Sequence, residues 1–450
     1  MVVVGAARSG IAAVELLAKR GARVMLTEMR PTFADADRLR AAGIDVEVGG
    51  HTQETLEAAD LIVLSPGVPV EGPVFDAVRH RGVEIIGELE LASRWIRGRV
   101  VAITGTKGKS TTTTLVGRML AAAGRRVLVG GNIGVPLSTQ VDTSTPETIH
   151  VVEVSSFQLE TTNTFRPWIA LWLNLADDHL DRHPNLEAYV SAKTRVFANQ
   201  TEGDWAVLNA DDPVVSAQGA FTAAGRVYFS LSGQTSTGFV VDGDWIVRRT
   251  ATGADRLIPL TGVELTGRHM LNNVLAATAV AAISRVTPAA MVEALRGFRG
   301  LPHVMEPVAV VAGVRFVNDS KATNVEAAQR SIESFPRGLV AIIGGHFKGG
   351  DLRRLREPLS AGAVAVVAIG EAAPLVHEAL EGVVPVVDAA SMREAVQVGY
   401  EAAAPGGVVL LAPACASFDW FRDYADRGDT FKAEVMRLKQ AVEGTGAQGT

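Results

Sequence analysis

The chain has 450 residues, which at roughly 150 residues per domain predicts about three domains. Its formal net charge of −6 argues against a general nucleic-acid-binding protein, because such proteins usually carry a basic field. A single cysteine, Cys415, excludes an intramolecular disulfide and a cysteine-rich zinc site. We therefore expect a reducing, cytoplasmic location. No apolar run reaches the length of about 18 residues that a membrane-spanning helix needs, so no membrane association is predicted.

Short β-branched runs alternate with helical patterns from the start of the chain, beginning with a predicted strand at Val2–Val4. This alternation is typical of a parallel sheet, whose ligands bind beyond the carboxyl ends of its strands. A second alternating unit begins near Arg99, and a third begins after residues 300–302. We predict an α/β protein of three domains in series, over residues 1–88, 89–299 and 300–450, with Rossmann-like sheets in the first and last.

A glycine-rich segment at residues 105–110 (GTKGKS) lies between a predicted strand and a predicted helix. Its glycines let backbone N–H groups converge on an anion, and the helix N-terminus adds partial positive charge. Lys109 can neutralise the β- and γ-phosphates of a nucleotide, and Ser110 can offer a hydroxyl to magnesium. The loop is a shortened Walker variant, because Ile103 stands where a glycine is expected. We interpret it as a phosphate loop rather than a plain turn, so that the central domain is of the P-loop ATPase type.

Residues 5–10 (GAARSG) carry a weaker glycine pattern. They are similar to the G-x-G-x-x-G signature, but Ala7 replaces the second glycine, which normally lets a pyrophosphate approach the backbone. Glu28 ends the second predicted strand, in the place of the ribose-binding acid. A nicotinamide dehydrogenase is therefore disfavoured, while a nucleotide bound differently and a plain close-packing turn both stay open.

Three segments of the central domain place polar residues beside apolar strands. Glu153 lies inside the apolar run 151–154, where a carboxylate is costly unless it is paired or binds a cation. The loop 177–184 is rich in acids and histidines, and Lys193 lies on a predicted helix that begins near Asn185. A magnesium site, a buried salt bridge at Glu153 and a solvated acidic loop are all compatible with this pattern.

Taken together, these and further motifs resemble the Mur ligase family over nearly the whole chain. The matching segments are residues 105–111, 131–134, 153–159, 178–181, Lys193, 300–303, 318–324, 344–349 and 413–419. So many motifs in order are more specific than any one of them. Residues 65–67 and the last two motifs favour the glutamate-adding member of the family over its sister ligases.

The resemblance implies an ATP-dependent ligase of cytoplasmic peptidoglycan precursor synthesis. ATP would phosphorylate the carboxylate of UDP-N-acetylmuramoyl-L-alanine, and the amine of D-glutamate would attack the acyl phosphate to give an amide, ADP and phosphate. Two Mg²⁺ ions are implied, since cations must offset the repulsion between a carboxylate and a triphosphate. We expect a monomer with no nucleic-acid or membrane partner. The residues themselves fix neither the enantiomer of glutamate nor the oligomeric state.

The resemblance also assigns residues by position. Lys109, Lys193, His179 and Lys348 would be catalytic, with Ser110, Glu153, His179 and Lys193 holding magnesium. Lys193 would be carbamylated, because an anionic carbamate suits a metal better than an ammonium does; a cationic lysine paired with phosphate is the alternative. The implied nucleotide contacts are Gly105, Thr106, Lys107, Gly108, Lys109, Ser110, Thr111, Asn273, Asp319 and Lys321.

Substrate contacts follow in the same way. Uridine and pyrophosphate would contact Arg8, Ser9, Met29, Arg30, Ser65, Pro66 and Gly67. The sugar and its alanine would lie near Asn132, Ser155, Gln158 and His179. The incoming glutamate would contact Thr323, Lys348, Ser417, Phe418 and Tyr424. The chain departs from the family pattern at two positions. Val304 stands where the family often has an arginine that contacts ATP, and Tyr424 replaces a more usual phenylalanine in the glutamate pocket.

Two other functions remain possible at this point. A sister Mur ligase or a folylpolyglutamate synthase would share the phosphate loop and differ in the first and third domains. A nucleotide-dependent switch protein would hydrolyse ATP without needing the sugar nucleotide or an amino acid.

Overall fold

The computed structural model describes residues 1–176, 183–263 and 268–446. The chain divides into two units, Met1–Phe298 and Arg299–Thr450. The first unit contains two sheets and the second contains one. The α/β class and three sheets in series confirm the predicted fold class.

The first sheet has five parallel strands in the order β3-β2-β1-β4-β5. Its strands are β1 (Val2–Val4), β2 (Met25–Glu28), β3 (Asp45–Val48), β4 (Leu61–Leu64) and β5 (Glu84–Gly87). The helices of this region are α1 (Arg8–Lys19), α2 (Ala36–Ala41), α3 (Gln53–Glu57), α4 (Pro73–His80) and α5 (Glu88–Ser93). β1 confirms the strand predicted at the start of the chain. β3 occupies an edge of the sheet. Its residues alternate between polar and apolar, which is typical of a strand with one face packed on the core and the other face towards solvent.

The turn before α1 is closely packed. A Cβ atom on Gly10 would lie 1.9 Å from the Gly5 carbonyl oxygen, so only glycine fits there. The backbone N–H of Ala6 donates to Glu28 at 2.6 Å, and Arg30 Nε donates to the same carboxylate at 3.0 Å. Burial on its own raises the pKa of Glu28, but these bonds lower it to about 2. Glu28 is therefore ionised and stabilises the turn through these hydrogen bonds, so its carboxylate is not free to bind a ribose.

The second sheet has nine strands in the order β14-β13-β12-β11-β10-β9-β6-β8-β7. Its members run parallel from β7 through β12, and β13 and β14 are added antiparallel. They are β6 (Arg99–Thr104), β7 (Val127–Gly131), β8 (Ile149–Glu153), β9 (Ile169–Trp172), β10 (Trp205–Asn209), β11 (Gly225–Ser230), β12 (Gly238–Asp242), β13 (Trp245–Thr250) and β14 (Gly253–Pro259). The helices are α6 (Lys109–Ala122), α7 (Ser156–Glu160), α8 (Leu186–Thr194), α9 (Pro213–Ala217), α10 (Arg268–Ile283) and α11 (Pro288–Leu295).

The third sheet, in the second unit, has the order β15-β16-β20-β17-β18-β19, and only β15 is antiparallel. Its strands are β15 (Glu306–Val311), β16 (Val314–Asn318), β17 (Leu339–Gly344), β18 (Ala363–Ile369), β19 (Val386–Ala389) and β20 (Val408–Leu411). The helices are α12 (Val325–Glu333), α13 (Arg356–Ser360), α14 (Ala373–Leu380), α15 (Met392–Ala403) and α16 (Tyr424–Gly446). Among the described residues, no helix is long and apolar enough to cross a membrane.

A buried carboxylate joins α5 to the loop before β9. Glu90 is fully buried and accepts hydrogen bonds from the backbone N–H groups of Asn163, Thr164 and Phe165 at 2.8 to 3.0 Å. Arg94 donates to the same carboxylate at 3.1 Å. Burial on its own raises the pKa of Glu90, but the bonds from Thr164, Asn163 and Arg94 hold that pKa below its ordinary value of 4.5. The ionised side chain therefore connects the first sheet region to the second.

We expect Glu90→Gln to lower the free energy of unfolding by about 2–4 kcal/mol at neutral pH, because one amide oxygen cannot accept all these bonds. A lowered folded-state pKa stabilises the protein above the unfolded pKa, and that contribution disappears as pH falls through the folded pKa. The loss should therefore shrink below about pH 4.5 in urea unfolding. Glu84→Gln, which removes an exposed partner of Arg94, should cost under about 1 kcal/mol. Equal costs for the two variants would contradict the role of Glu90.

Candidate active site

The carboxyl ends of β9, β6 and β8 meet at one edge of the second sheet. Residues 105–108 follow β6 and lead directly into α6, which confirms the predicted strand, loop and helix. Gly108 has a left-handed φ of 81°, which suits a glycine, and a Cβ there would lie 2.3 Å from Asn273 Oδ1. Two predicted nucleotide contacts, Gly108 and Asn273, are thus adjacent.

Lys109 is the first residue of α6, and its side chain folds back over the loop. Its Nζ donates to the carbonyl oxygens of Gly105 and Thr106, at 3.0 Å in each case. The lysine charge is thereby added to the partial positive charge of the helix N-terminus. Thr111, also predicted, is buried in the first turn of the helix. This arrangement suits the binding of a polyphosphate.

Asn174, which the sequence analysis did not single out, fixes the first half of the loop. Its Oδ1 accepts from the backbone N–H groups of Thr106 and Lys107, at 3.1 and 2.8 Å. Its Nδ2 donates to the Lys107 carbonyl at 3.0 Å. A polar side chain just past the end of a parallel strand, here β9, was the available sequence signal.

A buried carboxylate lies beside the loop. Glu153, the last residue of β8, is buried and accepts a hydrogen bond from Ser110 Oγ at 2.7 Å. Its other oxygen accepts from Asn132 Nδ2, also at 2.7 Å. Both oxygens thus accept from uncharged groups, and within the described part of the chain the structure shows no salt bridge at Glu153. A hydroxyl and a carboxylate oxygen this close are hard ligands that fit Mg²⁺.

Lys193 lies on α8 with its side chain fully buried. Its Nζ donates to the Gly105 carbonyl at 3.1 Å and lies 4.6 Å from the ring centre of Tyr189. The Tyr189 hydroxyl is 3.2 Å from Thr106 Oγ1. Lys193 therefore reaches the base of the phosphate loop, as the predicted site requires. His179, predicted as a magnesium ligand and substrate contact, lies outside the described residues, as do the acids at 177, 178 and 181.

Several residues predicted to contact the sugar nucleotide are held in place by hydrogen bonds. Ser155 and Gln158 form a capping box at the start of α7, in which each side chain bonds to the backbone of the other. Arg8 Nη1 donates to the Gly134 carbonyl at 2.9 Å. The Ser65 hydroxyl donates to the Gly5 carbonyl at 2.8 Å. These bonds bring the glycine turn, the 65–67 turn and the 131–134 segment into one region.

The remaining residues predicted for uridine differ in exposure. Met29 is 63% exposed, which is unusual for a methionine and leaves its surface free for a planar base. Arg30 is partly exposed and paired with Glu28. Ser9 and Pro66 are half-buried, and Gly67 is exposed. Met29 and Arg30 follow β2, and Pro66 and Gly67 follow β4, whereas Ser9 lies on α1 after β1. The carboxyl ends of these strands are where a parallel sheet binds its ligands.

The second unit gathers its predicted residues at the carboxyl ends of β16, β20 and β17, which are neighbours in the sheet. Asp319 follows β16, is buried, and accepts from the Met305 N–H at 3.0 Å and from Ser331 Oγ. Burial raises the pKa of Asp319 above its ordinary value. Lys321 and Thr323 follow in the same turn and are half-buried.

The glutamate-contact predictions lie on two loops that touch. His346 and Ala416 exchange backbone hydrogen bonds at 3.0 and 2.9 Å, which brings the loop of Lys348 beside that of Ser417. Lys348 is exposed, and Ser417 is buried.

Two aromatic residues predicted for the same substrate, Phe418 and Tyr424, are exposed at 70% and 39%. Burial raises the pKa of Cys415, in the Ser417 loop, to about 12, so its thiol is not a nucleophile.

Arg427 is a structural residue of this region that the sequence analysis did not find. It is fully buried on α16 and donates to the carbonyls of Ser320, Cys415 and Ala416 at 2.9 to 3.1 Å. Burial lowers the pKa of Arg427 to about 10. Its partners are backbone carbonyls distant in sequence, so no local pattern could reveal it.

The fold and these clusters define an α/β nucleotide-binding enzyme with a phosphate loop and a carboxylate suited to magnesium. The chain belongs to the Mur ligase family. Three family models match it in order: the Mur ligase MurD-like N-terminal domain at residues 1–87, the Mur ligase middle domain at 103–281, and the Mur ligase glutamate ligase domain at 286–415.

Full-length relatives are similar throughout. A UDP-N-acetylmuramoylalanine–D-glutamate ligase of Acidobacterium capsulatum is 47% identical over 98% of this chain and 97% of its own. A protein of the same name from Pelotomaculum thermopropionicum is 43% identical over 98% of both chains.

Solved structures are similar in fold. A UDP-N-acetylmuramate–alanine ligase of Thermotoga maritima is 19% identical, with a TM-score of 0.55 over 98% of this chain and 99% of its own. A pseudomurein peptide ligase of Methanothermus fervidus is 18% identical, with the same TM-score over 97% of this chain and all of its own.

Proposed function

We propose that this chain is an ADP-forming ligase that joins D-glutamate to UDP-N-acetylmuramoyl-L-alanine. The observation that carries the proposal is the Lys109, Ser110 and Glu153 cluster at the phosphate loop. Full-length relatives of that activity, 47% and 43% identical, support the choice of substrates. The family assignment also favours a ligase over a nucleotide-dependent switch protein.

The reaction would proceed in two steps that the loop residues can support. A carboxylate oxygen of the substrate's alanine attacks the γ-phosphorus of ATP, and the bond to ADP breaks. The amine of glutamate then attacks the acyl carbon, inorganic phosphate leaves, and the amine loses a proton. Lys109 and the N-terminal N–H groups of α6 would stabilise the charge that develops on the phosphoryl oxygens. Ser110 and Glu153 would hold a Mg²⁺ ion, which supplies Lewis-acid stabilisation of the same charge.

The direct test measures ADP formation with ATP, Mg²⁺ and UDP-N-acetylmuramoyl-L-alanine, with D-glutamate, L-glutamate and other amino acids supplied one at a time. We expect ADP only when the sugar nucleotide and D-glutamate are both present. ADP with another amino acid would indicate a sister ligase or a folylpolyglutamate synthase. ADP without either substrate would indicate a switch protein.

We propose that Lys348, with Thr323, Ser417, Phe418 and Tyr424, binds the incoming glutamate. Lys348 is exposed on its loop, and a lysine there would neutralise a carboxylate of that substrate. Lys348→Ala should therefore raise the KM for glutamate by about tenfold and leave the KM for ATP within about twofold. Steady-state kinetics with each substrate varied in turn would measure this. An equal rise in both values would contradict the assignment.

We also propose that Lys193 carries a carbamate that ligates a second Mg²⁺, with His179 as a partner. Its burial against the phosphate loop supports this, because an ammonium there would repel a metal ion. Native mass spectrometry at saturating bicarbonate should find one added carbon dioxide, and Lys193→Arg should lack it. An unmodified wild-type chain would refute the carbamate.

The finer assignments are part of the same proposal. These are two Mg²⁺ sites, a monomer in the cytoplasm, domain boundaries at residues 88 and 299, and the individual substrate contacts at the ends of β2, β4, β16 and β20. Asp319 and Lys321 would complete the ATP site. Val304 stands where the family often has an arginine, so another side chain would supply the ATP contact of that arginine.

A further inference from the structure

A small cavity in the first unit lies among residues proposed to bind the sugar nucleotide. Its volume is about 10 Å³, which is room for roughly one water molecule. Ser65 and Pro66 after β4 line it, as do Gln158 of α7 and Glu88 of α5. Three of these four were predicted to contact substrate, and Glu88 was not.

Glu88 has an unusual environment for an acid. It is 1% exposed, and its Oε1 accepts from the Ser138 backbone N–H at 2.6 Å. Within the part of the chain that the structure describes, its Oε2 makes no hydrogen bond. A buried polar atom without a partner costs about 1–3 kcal/mol, so a partner such as water is expected in the cavity.

The burial of Glu88 favours its neutral, protonated form. Burial raises the pKa of Glu88 above its ordinary value of 4.5, and hydrogen bonding to Ser138 only partly opposes the rise. A neutral carboxyl carries an O–H donor that a carboxylate lacks. It also avoids repelling the diphosphate of a sugar nucleotide.

We propose that Glu88 is a positioning residue for the sugar nucleotide and acts as a neutral acid through one water molecule in this cavity. The Glu88 O–H donates to the water, which also accepts from the Gln158 amide and donates to Ser65 Oγ. The two walls of the substrate site, from the first and second sheets, are thereby held at a fixed spacing. This inference rests on the proposed function, because the sugar nucleotide is its substrate.

The test compares Glu88→Leu, Glu88→Gln and the control Glu84→Leu, which removes a surface carboxylate four residues away. Glu88→Leu should raise the KM for UDP-N-acetylmuramoyl-L-alanine about tenfold, with kcat and the KM for ATP unchanged. Calorimetric binding of the sugar nucleotide without ATP should weaken equally. Glu88→Gln retains a donor and should stay within about threefold of wild type, as should Glu84→Leu. Leucine removes an unsatisfied oxygen but also the acceptor of the Ser138 N–H, and because these two effects oppose each other the unfolding temperature should change little.

Three results would overturn the inference. These are a wild-type KM and affinity in Glu88→Leu, an equal loss in Glu88→Gln, and a loss confined to kcat. If Glu88→Leu does not fold, the infrared difference between wild type and Glu88→Gln decides, because a neutral carboxyl gives a carbonyl band that a carboxylate lacks. Absence of that band at neutral pH would refute the neutral acid. A wild-type chain that binds the sugar nucleotide but forms no amide would instead refute the proposed function.

Discussion

Lys109→Ala should lower kcat for ADP formation by about 10³-fold while leaving the fold intact. Lys109 folds over the phosphate loop and would stabilise charge on the transferred phosphoryl group, and loss of one preorganised group of this kind costs roughly 10²–10³ in kcat or more. Lys109 is half-buried at the start of α6, so its removal should change the unfolding temperature little.

The control for this variant is Lys19→Ala, which removes the same charge from a surface ion pair with Asp142. It should have wild-type kinetics. Circular dichroism and thermal unfolding would show that both variants fold. Turnover of Lys109→Ala within tenfold of wild type would mean that the loop does not position a reacting phosphate.

Glu153→Gln should lower kcat by about 10²–10³-fold and raise the Mg²⁺ concentration needed for half-maximal activity. The carboxylate accepts from Ser110 on one oxygen and from Asn132 on the other. An amide has one acceptor oxygen and no charge, so it can neither hold the cation nor satisfy both donors. A magnesium titration of the initial rate measures both effects.

Glu147→Gln is the matched control, because Glu147 is an exposed acid just before the opposite end of the same strand, β8. We expect its magnesium titration to overlay that of the wild type. If Glu153→Gln lost activity without any change in the magnesium requirement, Glu153 would be a structural residue and not a ligand.

The sequence was informative where a function depends on consecutive residues. The loop at 105–110 lies between a strand and a helix and contains both the glycines and the lysine that a phosphate loop needs. Glu153 ends an apolar strand, which indicates that its carboxylate needs a hydrogen-bonding or charged partner. The order of the strands then adds what sequence spacing cannot, because β6 and β8 are neighbours in the sheet although Ser110 and Glu153 are 43 residues apart along the chain. The bond between those two side chains follows from that adjacency.

Other residues could not be found in this way. Asn174 and Arg427 act on backbone atoms of segments distant in sequence, and Glu88 is defined by an oxygen that lacks a partner. Such roles depend on burial and geometry rather than on residue type. Strands such as β3, which alternates polar and apolar residues at a sheet edge, give a weak sequence signal for a similar reason.

The bonds of Asn174 divide the peptide groups of the phosphate loop into two sets. The N–H groups of Thr106 and Lys107 point to an amide side chain and are occupied before any nucleotide arrives. Anion coordination is thus left to the peptide groups nearest the start of α6. Asn174 thus holds the first half of the loop in place, so a substitution of Asn174 would disturb the shape of the loop without removing any of the peptide groups at the start of α6.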